Sequence, residues 1–155
     1  MTASRLYFAQ HGLAVSKSDN PERPLSEDGI RQTRSMARHL LHSAIPVSCI
    51  FHSGKLRAQR TAEIFSSILN IEKLAAIKHL SPNDDIALIR QQLNIESALY
   101  VGHLPHLEKL ISSLVTGNES PVVIKFQNSA VACLEKNDSS YHISWYLTPQ
   151  LAGSE

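Results

Sequence analysis

Three short stretches carry residues whose types and spacing could do chemistry together: Gln10-His11-Gly12, His52-Ser53-Gly54-Lys55-Leu56-Arg57 and Gly102-His103-Leu104-Pro105. Each follows an apolar run that reads as a strand. If those strands are parallel, the three ends meet at one edge of a sheet, the usual ligand edge of an open α/β fold. Two imidazoles and a guanidinium converging beside a helix amino terminus near Ser53 make a pocket for a doubly charged anion such as phosphate. The residue types suit phosphoryl transfer to a nitrogen.

The elements that must position these groups follow from hydrophobic period and punctuation. Leu6 to Gln10 is a short apolar run ended by Gly12. Residues 13 to 25 contain Asp19-Asn20-Pro21 and Arg23-Pro24 and read as a surface loop. Ser26 is a good N-cap, with Glu27 and Asp28 in the first turn of a helix whose apolar face runs through Ile30, Ala37, Leu40, Leu41 and Ala44. Val47 to His52 reads as a second strand, and Ser53-Gly54 opens a helix with Ala58, Ala62, Phe65, Ile68 and Leu69 on one face. Leu74 to Ile77 is a weak third strand, Asp84 to Leu93 a short helix capped near Asn83, and Ser97 to Gly102 a fourth strand. After Pro105 a further helix runs to Gly117-Asn118, and its first histidine, His106, has no expected role. Val122 to Phe126, Ala130 to Glu135 and Tyr141 to Leu147 read as strands, the last two joined as a hairpin. Gln150 to Glu155 reads as a frayed tail. The expected fold is α/β: a single open, mostly parallel sheet flanked by helices on both faces, with antiparallel edge strands near the C-terminus, all in one domain over residues 1–155.

Bulk properties narrow the function. The 155 residues, 43% apolar and 19% charged, suit one soluble globule, and no run approaches the ~18 apolar residues of a membrane span. A net charge of +1 argues against nucleic acid as a partner, because such proteins carry a strongly basic face. Cys49 and Cys133 lie in apolar runs without C-x-x-C spacing and read as buried free thiols. The amino terminus has no signal-peptide pattern, which favours the cytoplasm. No phosphate loop, dinucleotide fingerprint or nucleophile elbow is present. A zinc site from His11, His52 and His103 would lack any helical H-x-x-x-H pair, so no metal or other cofactor is expected.

The chain resembles the histidine phosphatase superfamily, and within it the small bacterial phosphohistidine phosphatases of the SixA type. The matching segments are FAQHG against a strand followed by Arg-His-Gly; ERPLSEDG against Arg-Pro-Leu-Thr/Ser-x-x-Gly; SGKLRAQRTA against Ser-x-x-x-Arg-Ala-x-x-Thr-Ala; and VGHLPH against Val-x-His-x-Pro. They stand in the family's order between residues 8 and 106, within a resemblance that covers residues 5 to about 147. The resemblance implies that His11 is the nucleophile, Arg57 a phosphate clamp, His103 the second pocket histidine and Arg23 a further anion contact. Gln10 stands where the family has an arginine. An amide donates a hydrogen bond to a phosphoryl oxygen but carries no charge, and without the neighbouring arginine His11 is expected to hold its proton more readily near pH 7. Asp85, then Asp84, are the candidate general acids by register, and both also suit the start of the following helix.

The activity this implies is hydrolysis of protein phosphohistidine through a phospho-His11 intermediate. The partner would be a phosphorylated protein such as a phosphohistidine-containing signalling domain, with phosphate or sulfate fitting the same pocket. The small chain leaves few residues for an insertion that would roof the pocket. The alternative is a catalytically weakened or inactive phosphate-binding relative, marked by Gln10.

Overall fold

The computed structural model describes residues 2–153. Six strands form one sheet in the order β3-β2-β4-β1-β5-β6: β1 (Arg5–Gln10), β2 (Cys49–His52), β3 (Leu74–Ala76), β4 (Ala98–Gly102), β5 (Val131–Asn137) and β6 (Ser140–Leu147). The first four are mutually parallel, β5 runs antiparallel to β1, and β6 returns antiparallel to β5. The sheet is thus the mostly parallel one expected, with β5 alone reversed and β6 at the edge.

Helices cover both faces, which is why β1 and β4 read as continuous apolar runs. Tyr7, Ala9, Leu99 and Val101 meet Met36, Ala37 and Leu40 of α1 (Glu27–His42) and Ala58, Ala62 and Phe65 of α2 (Leu56–Leu69). On the other face Leu6, Phe8 and Tyr100 pack with Ile86 and Ile89 of α3 (Ile86–Arg90) and Leu107, Leu110 and Ile111 of α4 (His106–Thr116). Adjacent strands β1 and β4 therefore send their chains to opposite faces, β1 into α1 and β4 into α4. Their C-terminal ends flank a topological switch point, the crevice where open α/β sheets bind ligands.

Three expectations are corrected. Residues 122–126 are not a strand: the sheet edges are β3 and β6, so no position beside β1 is open, and the segment instead buries Ile124 and Phe126 while the Phe126 N–H donates to Glu108 Oε2 at 2.9 Å. Helix α3 is shorter than expected because Asp85 Oδ1 accepts the Ala87 N–H at 2.9 Å and fixes the start. Residues 149–152 are ordered as α5 (Pro149–Ala152), capped by Thr148 and seated beside α1, with Pro149 buried; residues 154 and 155 of the expected tail lie outside the described residues. Cys49 and Cys133 are buried free thiols.

The start of α1 is locked to the chain after β1. Ser26 Oγ accepts the Gly29 N–H at 3.0 Å, and both the Ser26 N–H, at 2.9 Å, and its hydroxyl, at 3.0 Å, donate to the Leu13 carbonyl. A Cβ on Gly29 would lie 2.1 Å from that same carbonyl oxygen. Ala in place of a helical glycine ordinarily gains about 1 kcal/mol; at this position the sign reverses. We expect Gly29→Ala to destabilise the fold by about 2 kcal/mol, read as a lower urea midpoint at unchanged slope; an equal or higher midpoint contradicts the close approach.

Candidate functional site

Parallel register brings the three chemistry-bearing strand ends to one edge, with Gln10 opposite Gly102 and His52 opposite Val101. Because β5 starts at this edge, it adds Asn128 and Ser129: Asn128 Nδ2 donates to the His11 carbonyl at 3.0 Å, and the Ser129 N–H donates to the Gln10 carbonyl at 3.1 Å. The His11 N–H donates to the Gly102 carbonyl at 3.1 Å. The backbone at His11 is thereby held from β4 and from the β5 side.

The next residue, Gly12, has no room for a side chain, since a Cβ there would lie 2.8 Å from Thr33 Oγ1 and 3.2 Å from the Gly29 carbonyl oxygen. Its N–H donates to Thr61 Oγ1 at 2.8 Å, and the Thr61 hydroxyl donates to the Arg57 carbonyl at 2.8 Å. Thr61 so couples the turn after β1 to the first turn of α2, which carries Arg57.

The Gly12 carbonyl lies 2.8 Å from His11 Nδ1. A carbonyl can only accept, so the imidazole proton sits on Nδ1 and the Nε2 lone pair is left free. The His103 ring stands 5.0 Å from that of His11, centroid to centroid. His103 Nε2 is 2.6 Å from Ser53 Oγ, which also accepts the Lys55 N–H at 3.3 Å. Gln10 and His11 are 9% and 8% exposed, so the wall of the pocket is almost dry.

Burial dominates the electrostatics. It pushes the His11 pKa down to about 4, opposed by the Gly12 carbonyl and assisted by the charges of Arg57 and Arg23. His103 is pushed down to about 2, first by burial and then by His11 and Arg57. Both rings are neutral at pH 7. Desolvation is the largest contribution to the His11 shift, and the nearby guanidinium charges of Arg57 and Arg23 lower the pKa further. Arg57 is itself depressed by burial and by Arg23, which places both guanidiniums at this site. Arg23 has a left-handed φ of 51° and donates Nε to the Val15 carbonyl at 3.1 Å, within a loop pinned by an Ala14–Leu25 bridge. Arg57 Nε is buried without a hydrogen-bond partner, a donor of the kind an anionic ligand completes; Gln10 Oε1, an acceptor, is also unpartnered.

The remaining sequence candidates fall around this group. Asp85 caps α3, and Asp84 Oδ2 accepts the Ser81 N–H at 2.9 Å in a cleft it shares with Ser53. His52 Nδ1 accepts the Gly54 N–H at 3.1 Å and holds the turn before α2. His106 is buried, and its pKa is lowered by that burial. Ser53, Thr61, Asn128 and Ser129 were given no individual role by the sequence; Ser53 and Thr61 were at least visible as fixed members of SGKLRAQRTA.

The switch-point crevice brings together two neutral imidazoles and the charges of two guanidiniums, groups whose chemistry suits a phosphoryl ligand, and this arrangement has a sequence signature. The model of the histidine phosphatase superfamily (branch 1) matches residues 6–81, and the chain is similar to members of that superfamily along nearly its whole length. Within it, the chain is 27% identical over 154 residues to the phosphohistidine phosphatase SixA of Escherichia coli (strain K12), covering 94% of each protein. Its fold is that of the protein histidine phosphatase SixA complexed with tungstate, with a TM-score of 0.83 at 24% identity over 94% of this chain and 97% of that one. It also matches phosphoserine phosphatase of Entamoeba histolytica complexed with 3-phosphoglyceric acid, with a TM-score of 0.73 at 15% identity over 98% of this chain and 100% of that one. Among the described residues no helix is long and apolar enough to cross a membrane.

The depressed His11 pKa is a statement about stability as well as reactivity. Between its ordinary value of 6.5 and the folded value of about 4, the unfolded chain binds the proton and the folded one does not. Stability therefore holds above pH 6.5 and falls as pH drops through this window, by about 3 kcal/mol for this group, with His103 acting in the same direction. We expect the His11 ring proton to titrate near pH 4 by NMR, with urea stability declining over the same interval; a midpoint at or above 6.5 contradicts the dry pocket.

Proposed function

We propose that this chain is a phosphohistidine phosphatase that removes the phosphoryl group from a protein histidine by way of phospho-His11. The observation that carries the reading is the 2.8 Å bond from His11 Nδ1 to the Gly12 carbonyl, which leaves Nε2 unprotonated beside two guanidiniums. The Nε2 lone pair attacks phosphorus, the P–N bond to the substrate imidazole breaks, and the departing ring takes a proton on its own nitrogen. Retaining the proton on Nδ1 leaves the phosphorylated ring positively charged, opposite a carbonyl oxygen that favours it. That charge makes the ring a good leaving group when water attacks phosphorus in the second step, returning neutral His11 and inorganic phosphate.

Arg57 and Arg23 take the equatorial oxygens, and His103 faces the transferring group from the other side. A dianion between the rings raises the proton affinity of His103, which then donates from Nε2 in place of its bond to Ser53. Gln10 supplies an amide N–H where the family arginine would supply a charged fork. Asp84, on the cleft wall beside Ser53, is better placed than the helix-capping Asp85 to give a proton to a leaving group.

Gln10 favours a second reading, a phosphate-binding relative without turnover. Rapid-quench labelling with a radiolabelled phosphohistidine protein separates the two. We expect acid-labile label and released phosphate from wild type, no label on His11→Ala, and faster turnover in Gln10→Arg by up to about a hundredfold, the scale of one preorganised donor. Wild type that binds phosphate but takes no label, with labelling restored in Gln10→Arg, selects the binding reading.

A further inference from the structure

The phosphoryl pocket has two unlike flanks. On the β1 side stands the pinned loop of residues 13–25 that delivers Arg23. On the β3 side Ser53, the partner of His103, also lines an open cleft of about 500 Å³ whose walls include Ala76, Lys78, His79, Ser81 and Asp84. Lys78 and Lys55 are exposed, and among the described residues neither is in an ion pair. Lys55 directly follows the Ser53-Gly54 turn and is close enough to act electrostatically on His103. The carboxylate on this wall, Asp84, is engaged by the Ser81 N–H at 2.9 Å. The flank is therefore cationic and open.

We propose that this cleft receives the polypeptide around the phosphohistidine and selects segments with carboxylates next to it, which pair with Lys55 and Lys78. The inference rests on the phosphatase reading above and adds its substrate class: an acidic phosphoprotein segment. A second phosphate on a small metabolite is the less suitable occupant. Small ligands are held by enclosure, with most of their surface buried, and recognition of phosphate by fixed geometry uses guanidinium forks or convergent N–H groups. Exposed lysines on flexible stems act as point charges that steer a macromolecule and favour its orientation.

Two synthetic phosphohistidine peptides of equal length test this, one with aspartates on both sides of the phosphohistidine and one with serines there. At low ionic strength we expect wild type to show a kcat/KM ratio, acidic over neutral, of about ten. The ratio should fall toward one at ~0.5 M salt and to one or below in Lys55→Glu/Lys78→Glu. Because the ratio is internal to each enzyme, a change in basal turnover cancels. Equal efficiency on both peptides in wild type, or a ratio unmoved by the double substitution, overturns the inference alone. Preference for a small bisphosphate over both peptides also overturns it. Turnover of neither peptide overturns the phosphatase reading, and this inference with it.

Discussion

The geometry of the pocket depends on the backbone of the residue between His11 and Leu13. Its carbonyl, on Gly12, fixes which imidazole nitrogen of His11 carries the proton, and the Gly12 N–H is held by Thr61 from the helix that carries Arg57. The absence of a side chain at Gly12 lets Thr33, Ser129 and the Gly29 carbonyl close around it. The backbone of one residue therefore sets the tautomer of the ring and, through Thr61, ties it to the helix that carries the arginine. A histidine in the same place without this constraint would be free to turn or to exchange its proton site.

Much of this was legible before any coordinates. Continuous apolar runs at β1 and β4 signal strands covered on both faces, and the Ser26 and Gly117 punctuation bounds helices for local reasons that tertiary contacts do not disturb. Two of the failures share one cause. Whether Val122 to Phe126 forms a strand depends on a vacant neighbour in the sheet, which local composition cannot reveal. The short α5 is similarly decided by its seat against α1, since four residues have no helical stability of their own.

The candidate site divides in the same way. His11, His103 and Arg57 were visible because strand-end position is encoded locally and parallel strands bring such ends together. Asn128 and Ser129 were not, because they reach His11 through the reversal of β5, a long-range pairing. The proton on His11 is governed by something equally dispersed. Sequence exposes which side chain is adjacent, whereas the water excluded around His11 comes from residues scattered along the chain, and that exclusion outweighs a single neighbour in setting the proton.

The strand order also distributes mechanical firmness across the site. β1 and β4 lie inside the sheet with partners on both sides, while β3 is a three-residue edge strand whose Ala75 and Ala76 are exposed. Backbone amides of interior strands open to exchange only with large cooperative units, and short edges open on their own. The two histidines proposed to handle the phosphoryl group thus follow directly on interior strands. The cleft proposed to receive the rest of the substrate borders the short edge strand β3, so on that proposal a firmly held reaction centre and an adaptable entrance share one sheet edge.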